Sequence, residues 1–137
     1  MKEFSTFETD LDVRPDDIDM NRHVHNSRYL DYVLAARYDQ MERCYKMSMP
    51  DFLARGFSWV VKVAHIEHKR PLNLGDSILV RTSVSEVRKH GVQVIFKIVK
   101  KGDGKVVATG FFDYVMVNIE TGRPTVIPED IVELYSV

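Results

Sequence analysis

Cysteine is almost absent from the sequence, since Cys44 is the only one in 137 residues. An intrachain disulfide is therefore impossible, and so is a zinc or iron–sulfur site built from cysteines. A chain with this cysteine usage suits a reducing compartment, so we expect a cytoplasmic protein.

Neither sign of charge predominates, because 19 Lys and Arg residues stand against 20 Asp and Glu residues and leave a formal net charge of −1. Such a balance does not attract nucleic acid or an anionic membrane surface. The sequence also lacks a run of about 18 apolar residues that could span a bilayer, and residues 1–12 lack the apolar run of a signal peptide. We therefore expect neither a nucleic-acid partner nor a membrane.

The remaining composition is that of a folded protein, with 45% hydrophobic and 28% charged residues. Its length predicts one domain over residues 1–137. The apolar pattern predicts a strand over residues 4–13, a helix over 27–45, strands over 57–70, 77–87, 92–99 and 106–119, and a short helix over 128–134. Short turns between the later strands require antiparallel pairing, so the fold class is α+β, with a sheet wrapped around one long helix.

The long predicted helix has apolar residues at intervals of three or four. This stripe consists of Leu30, Leu34, Tyr38, Met41 and Tyr45, and Tyr29, Val33 and Ala36 widen it, so the helix should be largely buried. Asn26 or Ser27 is expected to cap the first turn of the helix. The free N–H groups of that turn can polarise a carbonyl or hold an oxyanion.

The densest polar cluster, residues 16–26, directly precedes this helix. On the pattern alone, Asp16, Asp17 and Asp19 are either solvated loop carboxylates that stabilise the helix N-terminus or part of a catalytic site. The two interpretations differ in which carboxylates tolerate replacement by asparagine.

Residues 19–30, DMNRHVHNSRYL, closely resemble the D-x-N-x-H-V-x-N-x-x-Y-[LI] stretch of plant-type acyl-ACP thioesterases in the hotdog-fold superfamily. They also resemble, more loosely, the D-x-D loop and following helix of 4-hydroxybenzoyl-CoA thioesterases and the related small bacterial acyl-CoA thioesterases. This resemblance implies the hotdog fold, an antiparallel sheet of five or six strands around one central helix. It further implies hydrolysis of an acyl thioester without a cofactor.

The resemblance also implies roles for individual residues. Asp19 matches the catalytic aspartate of both groups, and Asn21 and His23 match the catalytic asparagine and histidine of the plant type. The backbone N–H groups near Asn26 and Ser27 fall where the benzoyl-CoA type polarises the thioester carbonyl. An ionised aspartate can attack the thioester or activate water, so we expect Asp19 to be catalytic and Asp16 and Asp17 to tolerate replacement.

The chain departs from the plant type in two respects. Plant-type enzymes are about twice as long, and they carry a Glu-Cys pair on a later strand where this chain has Pro71 and Leu72. Cys44 lies in the predicted helix and cannot take that role.

Two further groups are candidates for substrate binding. The run from Glu86 to His90 resembles the E-W-R-R-K run that contacts CoA phosphates in 4-hydroxybenzoyl-CoA thioesterases, so Arg88 and Lys89 are either phosphate ligands or a solvated turn. His65 and Glu67 are expected to continue the strand face of Trp59, which places Glu67 either at the end of a pocket or at a solvated strand end.

A metal site is not expected, although the spacings of His23 with His25 and of His65 with His68 are suggestive. In a strand, His65 and His68 point to opposite faces and cannot bind one ion together.

An acyl-CoA thioesterase is the primary interpretation, and an acyl-ACP thioesterase or a non-catalytic acyl-thioester-binding module are the alternatives. Enoyl-CoA hydratases of the same fold use the motif D-x-N-P-[LIV]-H. In this sequence His23 is one residue closer to Asp19 than in that motif and the proline is absent, so hydration is disfavoured. Because a small sheet leaves unpaired edges, we also expect a homodimer, or a homotetramer of paired dimers.

Overall fold

A five-stranded antiparallel sheet and one fifteen-residue helix form the frame of the computed structural model, which describes residues 5–20 and 22–135. In chain order the elements are β1 (Thr6–Asp12), α1 (Tyr29–Arg43), α2 (Met49–Ala54), β2 (Phe57–His68), β3 (Ser77–Val87), β4 (Gly91–Lys100), β5 (Val106–Asn118) and α3 (Glu129–Tyr135). This order confirms the predicted α+β class and the predicted succession of strands. Among the described residues, no helix has the length and apolar character needed to cross a bilayer.

The strands lie in the order β1-β3-β4-β5-β2, so β1 and β2 form the two edges of the sheet. All neighbouring pairs are antiparallel. The hairpin between β4 and β5 turns at residues 101–105, where the Lys105 N–H donates to Asp103 Oδ1 at 2.9 Å. Local alternation and glycine-rich turns are therefore sufficient to build this part of the sheet.

Helix α1 packs mainly against β1 and β3. Its buried residues are Tyr29, Tyr32, Val33, Ala36, Arg37, Gln40 and Met41. Leu30 and Leu34 of the predicted stripe are only partly buried, and Tyr38 is 53% exposed. The residues that widen the predicted stripe, Tyr29, Val33 and Ala36, are therefore buried as predicted. The stripe was wrong at Tyr38, because the helix turns its Val33 and Ala36 face to the sheet and leaves the Leu30 and Leu34 flank toward β2 less covered.

The start of α1 is preceded by a 3-10 turn, Asn26–Arg28. His25 caps that turn, since its Nδ1 accepts the Ser27 N–H at 3.2 Å and lies 2.7 Å from Ser27 Oγ. The expectation that Asn26 or Ser27 supplies the cap was wrong, because both residues lie inside the 3-10 turn that His25 caps. Helix α1 itself starts at Tyr29, after Arg28, whose side chain makes no capping hydrogen bond.

A β-bulge interrupts the pairing of β2 with β5 between Val61 and Val63. Beyond the bulge, Ala64 pairs with the core residue Phe112 and His65 stacks on Phe111 on the opposite face. The inserted residue therefore exchanges the two faces of β2. The expectation that His65 and Glu67 continue the face of Trp59 was wrong for this reason.

Candidate active site

A cleft of about 490 Å³ opens at the N-terminal end of α1, where the loop before the helix meets the end of β2. Its lining residues are Asp19, His23, Val24, His25, Asn26, Tyr29, His68, Lys69, Arg70 and Pro71. The cleft therefore combines a carboxylate, imidazoles, a phenol and two cationic side chains at a helix N-terminus.

Backbone hydrogen bonds fix the loop that carries Asp19. The Asp19 N–H donates to the His23 carbonyl at 2.9 Å, and the Arg22 N–H donates to the Asp19 carbonyl at 3.0 Å. Arg22 has a φ of +63°, a left-handed conformation that non-glycine residues adopt rarely and often at functional sites. The Val24 N–H then donates to the Leu72 carbonyl at 2.8 Å, which attaches the loop to the segment after β2.

Asp17 is not a solvated loop carboxylate. It is buried, it accepts a hydrogen bond from the Tyr32 hydroxyl at 2.6 Å, and its Oδ1 lies 3.5 Å from Arg28 Nε. The Asp17 carbonyl also accepts the His25 N–H at 2.9 Å. Asp17 therefore holds the loop against α1, whereas Asp16 lies at the surface in an ion pair with Arg14.

Tyr29 lies beneath the cleft and connects its two sides. Its hydroxyl accepts the Leu72 N–H at 3.1 Å, and its ring meets the His68 ring edge-on at a centroid distance of 4.7 Å. Burial raises the pKa of the Tyr29 phenol; the hydrogen bond from Leu72 opposes that rise, and the negative charge of Asp19 adds to it. Tyr29 therefore remains a neutral phenol near the Asp19 carboxylate at neutral pH.

The start of the helix offers a hydrogen-bond donor to this cleft. The Ser27 N–H is already occupied by His25, whereas within the described part of the chain no acceptor is present for the Asn26 N–H. The positive end of the α1 dipole lies at the same place. A carbonyl oxygen bound at Asn26 would be polarised by both.

The structure brings some of the predicted site residues together. Asp19, His23 and Asn26 line the cleft, and Ser27 lies exposed beside it. Asn21 lies outside the described residues, so its predicted role stays a prediction. Glu67 lies on the outer face of β2, away from the cleft, because of the bulge.

Arg88 and Lys89 lie at the opposite end of the sheet from the cleft within one protomer. The register aligns His68 with Ala108 and Ile98, and Ile98 is seven residues along β4 from Gly91. Seven residues at roughly 3.3 Å each span about 23 Å. Arg88 is also paired with Glu86 at 2.9 Å and Asp113 at 3.1 Å.

Sequence reasoning missed His68, Lys69 and Arg70 as cleft residues. The only signal for them is the basic run directly before Pro71, which by itself does not show that the end of β2 reaches the loop before α1. Within residues 5–20 and 22–135, no three His, Cys, Asp or Glu side chains are grouped closely enough to hold a metal ion.

Comparison with known proteins identifies the family. The family model of the thioesterase-like superfamily matches residues 13–134. The chain belongs to this superfamily. In sequence it is 26% identical over 116 residues to the long-chain acyl-CoA thioesterase FadM of Escherichia coli strain K12, which covers 85% of this chain and 86% of that relative.

Solved structures share the fold over nearly the whole chain. A hypothetical protein from Thermus thermophilus superimposes with a TM-score of 0.87 at 28% identity and covers 94% of this chain and 96% of its own. The DHNA-CoA thioesterase of Staphylococcus aureus superimposes with a TM-score of 0.89 at 19% identity and covers 96% of this chain and 89% of its own. The predicted hotdog fold and the predicted class of thioester hydrolase are thereby confirmed.

Proposed function

We propose that this thioesterase-superfamily protein hydrolyses acyl-CoA in the cleft at the N-terminus of α1, with Asp19 as the catalytic carboxylate. The observation that carries the proposal is the placement of Asp19 in one cleft with the Asn26 N–H at the positive end of the helix. A thioester hydrolase needs these two elements, a base or nucleophile and a donor for the oxyanion.

The chemistry follows from this pairing. The thioester carbonyl oxygen accepts the Asn26 N–H, and the carbonyl carbon is attacked either by the Asp19 carboxylate or by a water whose proton Asp19 accepts. The carbon–sulfur bond breaks, and the thiolate leaves and is protonated. In the direct route, water then hydrolyses the resulting anhydride. His23 and Asn21 orient the substrate or the water.

Lys69 and Arg70 are the cations of this protomer that fit the phosphates of CoA, because both line the cleft. Arg88 and Lys89, at the far end of the sheet, reach this cleft only from a second protomer. Their assignment to CoA therefore depends on an oligomer, and so does any role of the outward-facing Glu67.

We expect that oligomer to be a homodimer formed along β2, on which a homotetramer of paired dimers can be built. This strand is an edge of the sheet, and Val60 and Val63 on it are exposed. Pairing with its own copy would satisfy the unpaired backbone groups and cover these side chains. A two-fold axis near the middle of β2, between Lys62 and Val63, would bring the partner's β3–β4 turn to the end of the sheet that holds the cleft.

The name of the FadM relative supports CoA rather than acyl carrier protein as the carrier. The cytoplasmic location and the single domain over residues 1–137 stay predictions.

The test measures hydrolysis of a panel of aliphatic and aromatic acyl-CoA substrates and of the matched acyl-ACP substrates. Release of the free thiol is the readout. We expect turnover of acyl-CoA with a preference over the matched acyl-ACP. Preference for acyl-ACP would overturn the assigned carrier, and binding without turnover would overturn the assigned activity.

A further inference from the structure

A second cavity lies beside the middle of α1, on the side of the helix that faces β2. Its volume is about 180 Å³, somewhat larger than the roughly 150 Å³ cavity that accommodates benzene. Leu34, Trp59 and Tyr114 contribute to a largely apolar wall, and the exposed residues Tyr38 and Val61 lie at its mouth. The cavity is therefore open toward the edge of the sheet and large enough for the end of an acyl chain.

Arg37 forms part of this wall and is only 5% exposed. Its guanidinium is always protonated, yet no carboxylate of the described residues lies within ion-pairing distance of it. Its Nη1 makes one long hydrogen bond to Thr82 Oγ1 at 3.4 Å, and the guanidinium lies over the Tyr45 ring at 5.3 Å. It also interacts with the Tyr114 phenol, where burial raises the pKa and Arg37 opposes that rise. A buried cation that meets only neutral groups and no anion is costly to the folded protein.

Two buried donors of this wall have no acceptor. Arg37 Nε and Trp59 Nε1 are the buried side-chain atoms that lack a hydrogen-bond partner among the described residues. An apolar acyl end would leave both of them unsatisfied. A carboxylate would accept from the guanidinium and neutralise its charge at the same time.

The position of Arg37 sets the length of the chain that would reach it. Eight residues separate Tyr29, at the helix start, from Arg37, which at 1.5 Å per residue is about 12 Å. An extended chain advances roughly 1.2 Å per bond, as the polypeptide does over its three bonds per residue, so this distance corresponds to about ten bonds. Leu30 follows Tyr29 on the helix and Ile66 precedes His68 on β2, and both are partly buried in the same core cluster, so the side chains between the cleft and the cavity on these two elements are apolar.

We propose that this cavity binds the carboxylate at the far end of an ω-carboxyacyl chain and that Arg37 is the residue that determines this specificity. The inference rests on the proposed function and narrows its substrate class to monothioesters of dicarboxylic acids of about twelve carbons.

The first measurement compares kcat/KM for a saturated acyl-CoA of about twelve carbons with that for the same chain ending in a carboxylate. We expect the native protein to prefer the ω-carboxy substrate by about tenfold or more. Arg37→Met should reverse the preference because a carboxylate would then enter an apolar cavity, and Arg37→Lys should retain part of it. Arg43→Met, a matched control in the last turn of the same helix, should leave the preference unchanged.

The second measurement is independent of turnover. Trp59 is the only tryptophan in the sequence and lines the cavity, so its fluorescence reports ligand binding. Titration with the free twelve-carbon dicarboxylate should give a response that the matching monocarboxylate gives only at concentrations about tenfold higher. Arg37→Met should abolish this difference. The ligand-free Arg37→Met variant should also unfold at a higher temperature than the native protein, whereas a merely structural arginine would make it unfold at a lower one.

The outcomes separate this inference from the proposed function. Hydrolysis of the plain acyl-CoA without an ω-carboxy preference would overturn the inference and leave thioesterase activity standing. Arg37-dependent dicarboxylate binding without hydrolysis of either substrate would overturn the proposed function and support the cavity as a carboxylate site. A stronger preference for an ω-hydroxy chain than for the ω-carboxy chain would overturn the assignment of a carboxylate. If Arg37→Met fails to fold, the preference of the native protein and its change in Arg37→Lys decide the question.

Discussion

Two carboxylates of the loop before α1, Asp17 and Asp19, stand two residues apart and occupy different environments. Asp17 is buried and held by Tyr32 and Arg28, so it fixes the loop to the helix. Asp19 is only partly buried and lines an open cleft. The loop therefore contains one carboxylate with a structural role, Asp17, and one that can contact substrate, Asp19.

The Tyr32 hydroxyl is central to this arrangement, and its removal has a testable effect. It donates to Asp17 and accepts the Arg14 N–H at 3.1 Å. Tyr32→Phe takes the hydroxyl donor from the buried Asp17 carboxylate and the acceptor from the Arg14 N–H, so we expect the free energy of unfolding at pH 7 to fall by about 1–3 kcal/mol. Denaturant titration should show this loss, and Tyr38→Phe, at an exposed position of the same helix, should show little change.

The same tyrosine predicts how stability depends on alkaline pH. Burial, assisted by the bond to Asp17, raises the pKa of Tyr32 to about 12 from its ordinary value of 10.0. Because the folded-state pKa is the higher one, the stabilising contribution is fully present below about pH 10 and is lost as the pH rises through about 12. Tyr32→Phe should therefore lessen the fall in stability over this interval, and an unchanged slope would contradict the assignment.

At the scale of the elements, local patterns were sufficient for most of the sheet. The strand predicted over residues 77–87 matches β3, and β4 and β5 end within one residue of their predicted limits, because alternation and glycine turns are local signals. Which flank of the apolar face of α1 packs most closely on the sheet was not predictable in this way. Both the Val33 flank and the Leu34 flank are apolar, and only the position of the sheet decides between them.

The residues of the candidate site also fall into those that a local sequence signal predicts and those that depend on tertiary packing. Asp19, His23 and Asn26 lie within one loop, so a local motif placed them in a common cleft. The bulge between Val61 and Val63 has no visible sequence signal, and it turned Glu67 away from that cleft. The cleft residues His68, Lys69 and Arg70 follow this loop by more than forty positions in the sequence and reach the cleft only through tertiary packing.

A substitution at Gly110 of β5 tests how closely the backbone of β2 approaches β5. A methyl group at this position would collide with the His65 carbonyl oxygen and approach Phe96 Cζ to 2.6 Å. We expect Gly110→Ala to lower the free energy of unfolding by about 1–3 kcal/mol through overpacking. Gly102→Ala is the matched control, since nothing lies within 4 Å of an added methyl group there. Equal stabilities for the two variants would show that β2 is not held in this register.

At the scale of the whole molecule, the open edge along β2 predicts association. Light scattering should give a mass of at least twice 15.9 kDa at assay concentrations. Val60→Lys, which places a charge on the exposed edge, should shift the equilibrium toward monomer and reduce activity in parallel. A monomeric native protein with full activity would contradict both the dimer and the shared site.

Two pairs of cations could bind the phosphates of CoA in the dimer: Lys69 and Arg70 from the same protomer, or Arg88 and Lys89 from its partner. Replacing Lys69 and Arg70 by alanine should raise KM for acyl-CoA with little change in kcat, because phosphate contacts are equal in the ground and transition states. Replacing Arg88 and Lys89 should have the same kind of effect only in the dimer, and a smaller one because Arg88 is already ion-paired. An unchanged KM in both double variants would show that neither set contacts CoA.

The central claim is that Asp19 carries out the chemistry, and the kcat of Asp19→Asn on an acyl-CoA that the native protein hydrolyses well tests it most directly. The amide retains the shape of the side chain but neither attacks the thioester nor takes a proton from water, so we expect kcat to fall by about a hundredfold or more with the fold intact. Asp16→Asn, at the exposed position in the same loop, is the matched control and should retain nearly full activity. Asp17→Asn does not serve as a control because that carboxylate is buried against Tyr32. Near-normal turnover by a folded Asp19→Asn variant would contradict the account.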